Sequence, residues 1–191
     1  MTEVSQLTST FLDFLSSQDK NWSLCTLSFM ACFLVFFALY IPLRHYRQQW
    51  TKVYVICFSL FFAFKANGAL MWLLPFTTFV SWYLTRSMMR LKHGKLRKTG
   101  LAITIFTELI PLLYYKYTNF TLEIFHELLR SNFSPMKLLL PVGISFFTFQ
   151  AISYTVDVYK GRYPKTAKLL DYTFYLTFFP LLIAGPITRA E

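Results

Sequence analysis

Four long stretches without a single Asp, Glu, Lys or Arg constrain this chain more than any other feature. Leu24 to Leu43 is 20 residues of this kind, Ala66 to Thr85 another 20, Leu138 to Val156 is 19 and Tyr172 to Thr188 is 17. A helix needs about 20 apolar residues to cross a hydrocarbon core about 30 Å thick. One such run can be the buried helix of a soluble protein, but four in 191 residues cannot. Only 15% of the residues are charged, against about 25% in soluble domains. Two further segments are shorter or interrupted. Val53 to Phe64 ends at Lys65 and the turn-forming pair Asn67-Gly68, where Lys65 is expected to snorkel to the interface. Leu101 to Tyr115 contains Glu108 and Pro111, and the proline is expected to kink it.

The reading is an all-α, polytopic transmembrane helix bundle with about six spans. Residues 1–23 form an extracytoplasmic N-terminal segment; their acidic residues Glu3, Asp13 and Asp19 and the length of the following apolar run argue against a cleaved signal. Residues 117–130 follow another pattern. Tyr117, Phe120, Ile124, Phe125, Leu128 and Leu129 recur at helical spacing, with Glu123, Glu127 and Arg130 opposite. This predicts a separate amphipathic helix at the outer interface, either a cover for the bundle or a wall of a substrate entrance.

The formal net charge of +10 would suggest nucleic acid in a soluble chain. Here 13 of the 19 Lys and Arg fall in three loops, those at residues 44–52, 86–98 and 160–168. With six spans these loops share one side. Cytoplasmic loops are enriched in Lys and Arg, so the N-terminus is expected outside and no nucleic-acid partner is implied. Sequons at Asn21, Asn119 and Asn132 all fall on the expected outer side.

Ionisable and strongly polar groups within apolar runs are the functional candidates. Glu108 is one; it either serves function, pairs with a lysine or binds backbone freed by Pro111. Gln150, Tyr154 and Asp157 share one helical face. That stripe lines a pathway or forms an inter-helix hydrogen-bond network, with equal support for each. His45, His93 and His126 lie outside the apolar runs and read as surface residues. Cys25, Cys32 and Cys57 match no metal or disulfide spacing and read as small buried apolar groups. No phosphate-binding loop, metal-ligand cluster or Ser-His-Asp spacing is present, and intramembrane polar groups alone also suit a transporter subunit or scaffold.

A resemblance narrows these options. Leu140 to Gly161 reads Leu-Pro-Val-Gly-Ile-Ser-Phe-Phe-Thr-Phe-Gln-Ala-Ile-Ser-Tyr-Thr-Val-Asp-Val-Tyr-Lys-Gly, and the segment from Asp171 ends in Ile-Ala-Gly-Pro-Ile-Thr-Arg. Both resemble the membrane-bound O-acyltransferase family, in its bacterial alginate O-acetyltransferase branch; Leu112 to Phe120 resembles the stretch such proteins carry upstream. The D-alanyl transfer proteins of cell-wall polymer modification are a sister group. The resemblance implies that residues 24–189 are the N-terminal part of an enzyme of about a dozen helices in the bacterial inner membrane. Such an enzyme moves an acyl group, usually acetyl, from acetyl-CoA or another cytoplasmic acyl carrier to an extracytoplasmic glycan or a partner acetyltransferase protein. It binds no metal. The family's catalytic histidine belongs to the second half, so no catalytic residue is expected in this chain and residues 1–191 alone are expected to be inactive. The matching positions include Pro141, Gly143, Phe146, Gln150, Tyr154, Asp157, Gly185, Pro186 and Arg189. Pro141 and Gly143 are expected to mark a helix start, and Gly185-Pro186 a helix end. Arg189 either holds an anionic donor group or anchors at the headgroups.

Overall fold

The computed structural model describes residues 27–46, 48–91, 94–129, 140–163 and 166–184. Residues 1–23, Gly185, Pro186, Arg189, His93, Cys25, Asn21 and Asn132 lie outside them. All regular elements among the described residues are helical: α1 (Leu27–Tyr46), α2 (Gln48–Asn67), a 3-10 turn (Gly68–Trp72), α3 (Leu73–Arg90), α4 (Gly94–Leu129), α5 (Ile144–Tyr159), α6 (Leu169–Thr177) and α7 (Phe179–Ala184). The all-α reading therefore holds, while the division into spans changes in four places.

First, the 53–64 segment belongs to a 20-residue helix that runs on to Asn67. Lys65 does not snorkel outward: it is 1% exposed, with its ammonium 5.8 Å from the centre of the Phe61 ring. Second, the segment 101–115 and the expected interfacial helix are one element. α4 runs unbroken for 36 residues through Pro111, about 54 Å at 1.5 Å per residue. No glycine or proline lies between Leu112 and Leu129 to end it, and Thr118 and Thr121 donate to carbonyls one turn back. Third, α5 starts at Ile144, six residues later than the apolar run, because Pro141 and Gly143 fill the preceding turn. Fourth, the last span is two short helices meeting at Phe178. Pro180 cannot donate a helical hydrogen bond and sits in the first turn of a new helix, where none is needed. The amide freed at the break is not lost, since Phe179 N donates to Ser59 Oγ of α2 at 3.2 Å.

One continuous helical stretch, Gln48–Arg90, is long and apolar enough by itself to cross a membrane, and Phe29–His45 is a shorter apolar helix. Six spans are thus not established by helix length. The exterior is apolar nevertheless: Leu34, Val35, Leu39 and Ile41 on α1, and Phe76, Phe79 and Tyr83 on α3, are exposed. Such a surface suits lipid and not water.

Aromatic packing holds α7 to α1 and α2. Phe179 has the rings of Phe29, Phe33, Phe36, Phe58 and Phe62 around it at centroid distances of 5.2–6.2 Å, within the range where aromatic pairs attract beyond simple burial. Ala63, Leu74, Leu112, Ile144 and Phe147 join α2–α5, and Ala151, Tyr154, Val158, Tyr172 and Leu176 join α5 to α6.

Polar contacts sort the helix ends into two groups. At one end, Lys52 of α2 pairs with Asp171 of α6, and Arg97 of α4 donates to the Tyr159 carbonyl of α5 at 2.9 Å and reaches Met89 of α3. Asp157 pairs with Arg162 just beyond α5. All three basic segments thus meet at this end. At the other end, the Asn67 amide clasps one residue: Oδ1 accepts from Val142 N at 2.6 Å and Nδ2 donates to Val142 O at 3.4 Å. The clasped turn carries Gly143 at φ 86 directly before α5, a region in which an L side chain is strained. Gly143→Ala is expected to destabilise the fold by about 1–2 kcal/mol, read as a lowered melting temperature of detergent-purified protein. Gly94→Ala, where an added Cβ meets nothing within 4 Å, is expected to leave it unchanged.

Candidate functional site

Thr78, Ser81 and Thr85 fall at helical spacing on one face of α3, and Thr148 and Thr155 lie seven residues apart on α5. These short hydroxyl side chains are buried, and α3, α4 and α5 meet along them. Glu108, 8% exposed, enters this seam from α4. Ser81 Oγ donates to Glu108 Oε1, and Thr155 Oγ1 donates to the same oxygen at 2.9 Å. Each hydroxyl has one proton, so two further directions follow. Tyr172 of α6, 2.6 Å from Ser81 Oγ, must be the donor there, and Thr85, 2.9 Å from Thr155 Oγ1, must donate to it. Four hydroxyl protons from three helices therefore point along two short chains toward one carboxyl oxygen. Hydrogen bonds linked in this way strengthen one another in a low-dielectric interior.

The second carboxyl oxygen, Glu108 Oε2, has no partner in the protein, and neither has Thr148 Oγ1. Both residues line the same cleft, of about 140 Å³. The rest of its wall is mostly apolar and includes Phe76, Ile110, Pro111, Phe147, Ala151 and Leu176. Leaving a buried polar atom unpaired costs about 1–3 kcal/mol. Two such atoms on residues of one cleft leave it with unused hydrogen-bonding capacity.

The sequence candidates divide around this centre. Glu108 is its core, and its partners are hydroxyls, not a lysine or backbone freed by Pro111. Gln150, Tyr154 and Asp157 are all buried on α5 but do not line the cleft. Gln150 Nε2 donates to Tyr175 O at 3.2 Å, Tyr154 Oη accepts from Ala167 N at 2.8 Å, and Asp157 pairs with Arg162. They fasten α5 to α6 and the loop between them, as the inter-helix network does in one of the two sequence alternatives. His45 is exposed in the last turn of α1. Cys32 is partly buried but Cys57 is exposed on α2, so the reading of every cysteine as a buried group fails there. Sequence reasoning missed Ser81, Thr85, Thr148, Thr155 and Tyr172. The three- and seven-residue spacing of the hydroxyl residues was the signal that could have found the first four.

No family model and no solved structure matches the chain. Curated relatives do. A probable alginate O-acetylase of Pseudomonas aeruginosa is 42% identical over 93 residues, covering 47% of this chain and 18% of the relative. Its counterpart in Azotobacter vinelandii is 40% identical over 93 residues, 47% of this chain and 19% of the relative. A peptidoglycan O-acetyltransferase of Helicobacter pylori is 28% identical over 188 residues, 84% of this chain and 36% of the relative. Over about half of its length the chain is thus similar to alginate O-acetylases, and over more of it, at lower identity, to a peptidoglycan O-acetyltransferase. The chain spans less than two-fifths of the length of these relatives.

If the hydroxyl chains hold the seam together, Ser81→Ala, which leaves both Glu108 and Tyr172 short of a partner, is expected to destabilise the protein by about 1–3 kcal/mol. Thr99→Ala, which removes an exposed hydroxyl bonded within its own helix, is expected to stay within about 0.5 kcal/mol. Thermal unfolding followed by tryptophan fluorescence compares the two.

Proposed function

We propose that this chain is the N-terminal part of a membrane-bound O-acyltransferase of the bacterial inner membrane. It moves an acetyl group from a cytoplasmic donor, acetyl-CoA or another acyl carrier, to hydroxyls of an extracytoplasmic polysaccharide or to a partner acetyltransferase protein that passes the group on. The observation that carries this reading is the 42% identity to an alginate O-acetylase over about half the chain. The buried Glu108 centre supports it, since an ionisable group packed with hydroxyls inside an apolar bundle is costly and belongs to a site.

The same proposal includes a topology. The chain crosses the bilayer six times, with α6 and α7 as one broken crossing, and its N-terminus lies outside. The gathering of Lys52, Arg97 and Arg162 at one end of the bundle supports this, because basic residues stay on the cytoplasmic side. The catalytic histidine of the whole enzyme lies beyond residue 191.

Two experiments test the proposal. Expression of the complete reading frame in a polysaccharide-producing host is expected to raise ester-linked acetyl on the polymer, measured by proton NMR, whereas residues 1–191 alone add none. Acetylation by residues 1–191 alone would show that catalysis does not lie downstream. For the topology, a cysteine at position 93 is expected to react with an impermeant maleimide only in permeabilised cells, and one at position 126 in intact cells. The reverse pattern would refute the orientation.

A further inference from the structure

The cleft beside Glu108 lies to one side of the hydroxyl network. It is lined by α3 at residues 76–81, α5 at residues 147–151, α4 at residues 107–111 and the last turn of α6 at Leu176. On α3 and α5 these are the halves farther from Met89 and Tyr159, the residues that Arg97 holds at the basic end. Leu176 is likewise near the end of α6 away from Asp171, which pairs with Lys52. The cleft is therefore displaced toward the end of the bundle carrying the Asn67–Val142 clasp.

Its chemistry narrows what it can hold. The two unpartnered atoms are a carboxyl oxygen and a hydroxyl oxygen. A hydroxyl group can both donate to Glu108 Oε2 and accept from Thr148 Oγ1. It also suits Glu108 in either protonation state. A phosphate would find no basic residue in the lining. The size fits as well: a dry protein cavity of roughly 150 Å³ holds a molecule of benzene, so about 140 Å³ admits a compact unit of about six heavy atoms.

We propose that this cleft receives a hydroxyl-bearing unit of the acyl acceptor, hydrogen-bonded to Glu108 Oε2 and Thr148 Oγ1 and packed on Phe147, Ala151 and Leu176. The inference rests on the acyltransferase reading and its orientation, which turn the clasp end outward, where a polysaccharide would arrive. Glu108 and Thr148 are then acceptor-binding residues, and the Ser81–Tyr172 and Thr85–Thr155 chains are positioning residues that fix the carboxyl.

The test uses the protein of the complete reading frame, purified in detergent, with acetyl-CoA as donor and glycerol, a neutral polyol of about six heavy atoms, as the probe. Binding is measured by calorimetry and acetyl transfer by ester formation. The parent protein is expected to bind and acetylate the probe. Thr148→Val, close to isosteric, and Ala151→Phe, which fills the cleft, are each expected to weaken binding about tenfold and raise the acceptor KM in proportion. The donor KM and kcat stay near parent values. Thr99→Val on the exposed face of α4 is expected to change neither. Unchanged binding and acceptor KM in Thr148→Val, with a parent-like melting temperature, would overturn this inference while leaving the acyltransferase reading intact. Should Ala151→Phe fail to fold, the Thr148→Val result decides alone. A parent protein that does not bind the probe would overturn this inference alone, whereas a complete reading frame that adds no ester-linked acetyl to the polymer of the producing host would overturn the acyltransferase reading with it.

Discussion

A carboxyl group placed deep in an apolar helix bundle must be given partners, and the placement of Glu108 governs how the central helices meet. Its Oε1 takes hydrogen bonds from α3 and α5, and through Ser81 it holds the phenol of α6. Because these partners are short hydroxyl side chains, the helix backbones can pack closely around it. Longer polar groups would hold the helices apart, and apolar ones would leave the carboxyl with nothing. Helix association in lipid gains little from the hydrophobic effect and depends on such close packing and on inter-helix hydrogen bonds.

Around this centre the bundle is asymmetric along its length. The basic end is tied by charged groups, Lys52 to Asp171 and Asp157 to Arg162, with Arg97 on a carbonyl. At the opposite end the tie is a neutral amide holding one backbone unit. The cleft lies on the side of Glu108 nearer that neutral end.

The sequence made much of this legible. The helical class, the single end shared by the basic loops and the placing of Glu108 within an apolar helix follow from charge spacing alone, because a charge in an apolar run is conspicuous. The partners of Glu108 were hidden for the opposite reason. Ser81, Thr155 and Tyr172 are uncharged and common in membrane helices, and only tertiary packing brings positions 81, 108, 155 and 172 together. Helix ends were misjudged where local chemistry outweighed hydropathy. Apolar composition does not reveal that Gly143 takes a positive φ, or that a helix will restart at Pro180. The same limit applies to α4, where amphipathic spacing suggested a separate helix although no residue ends the first one. Gln150, Tyr154 and Asp157 were rightly placed on one face, but periodicity cannot say whether that face meets a cleft or a neighbouring helix.

The clasp at Asn67 has a consequence for biosynthesis. Its backbone partner at Val142 is 75 residues further along the chain, and the Ser59 hydroxyl of the same helix waits 120 residues for Phe179. α2 therefore leaves the ribosome with two polar groups whose partners have not yet been made. Until α5 and α7 arrive, those groups must be served by water, by lipid headgroups or by the insertion machinery. The closing of these contacts is thus a late event that waits for α5 and α7, and a ribosome stalled before Phe179 would leave the Ser59 hydroxyl without this partner.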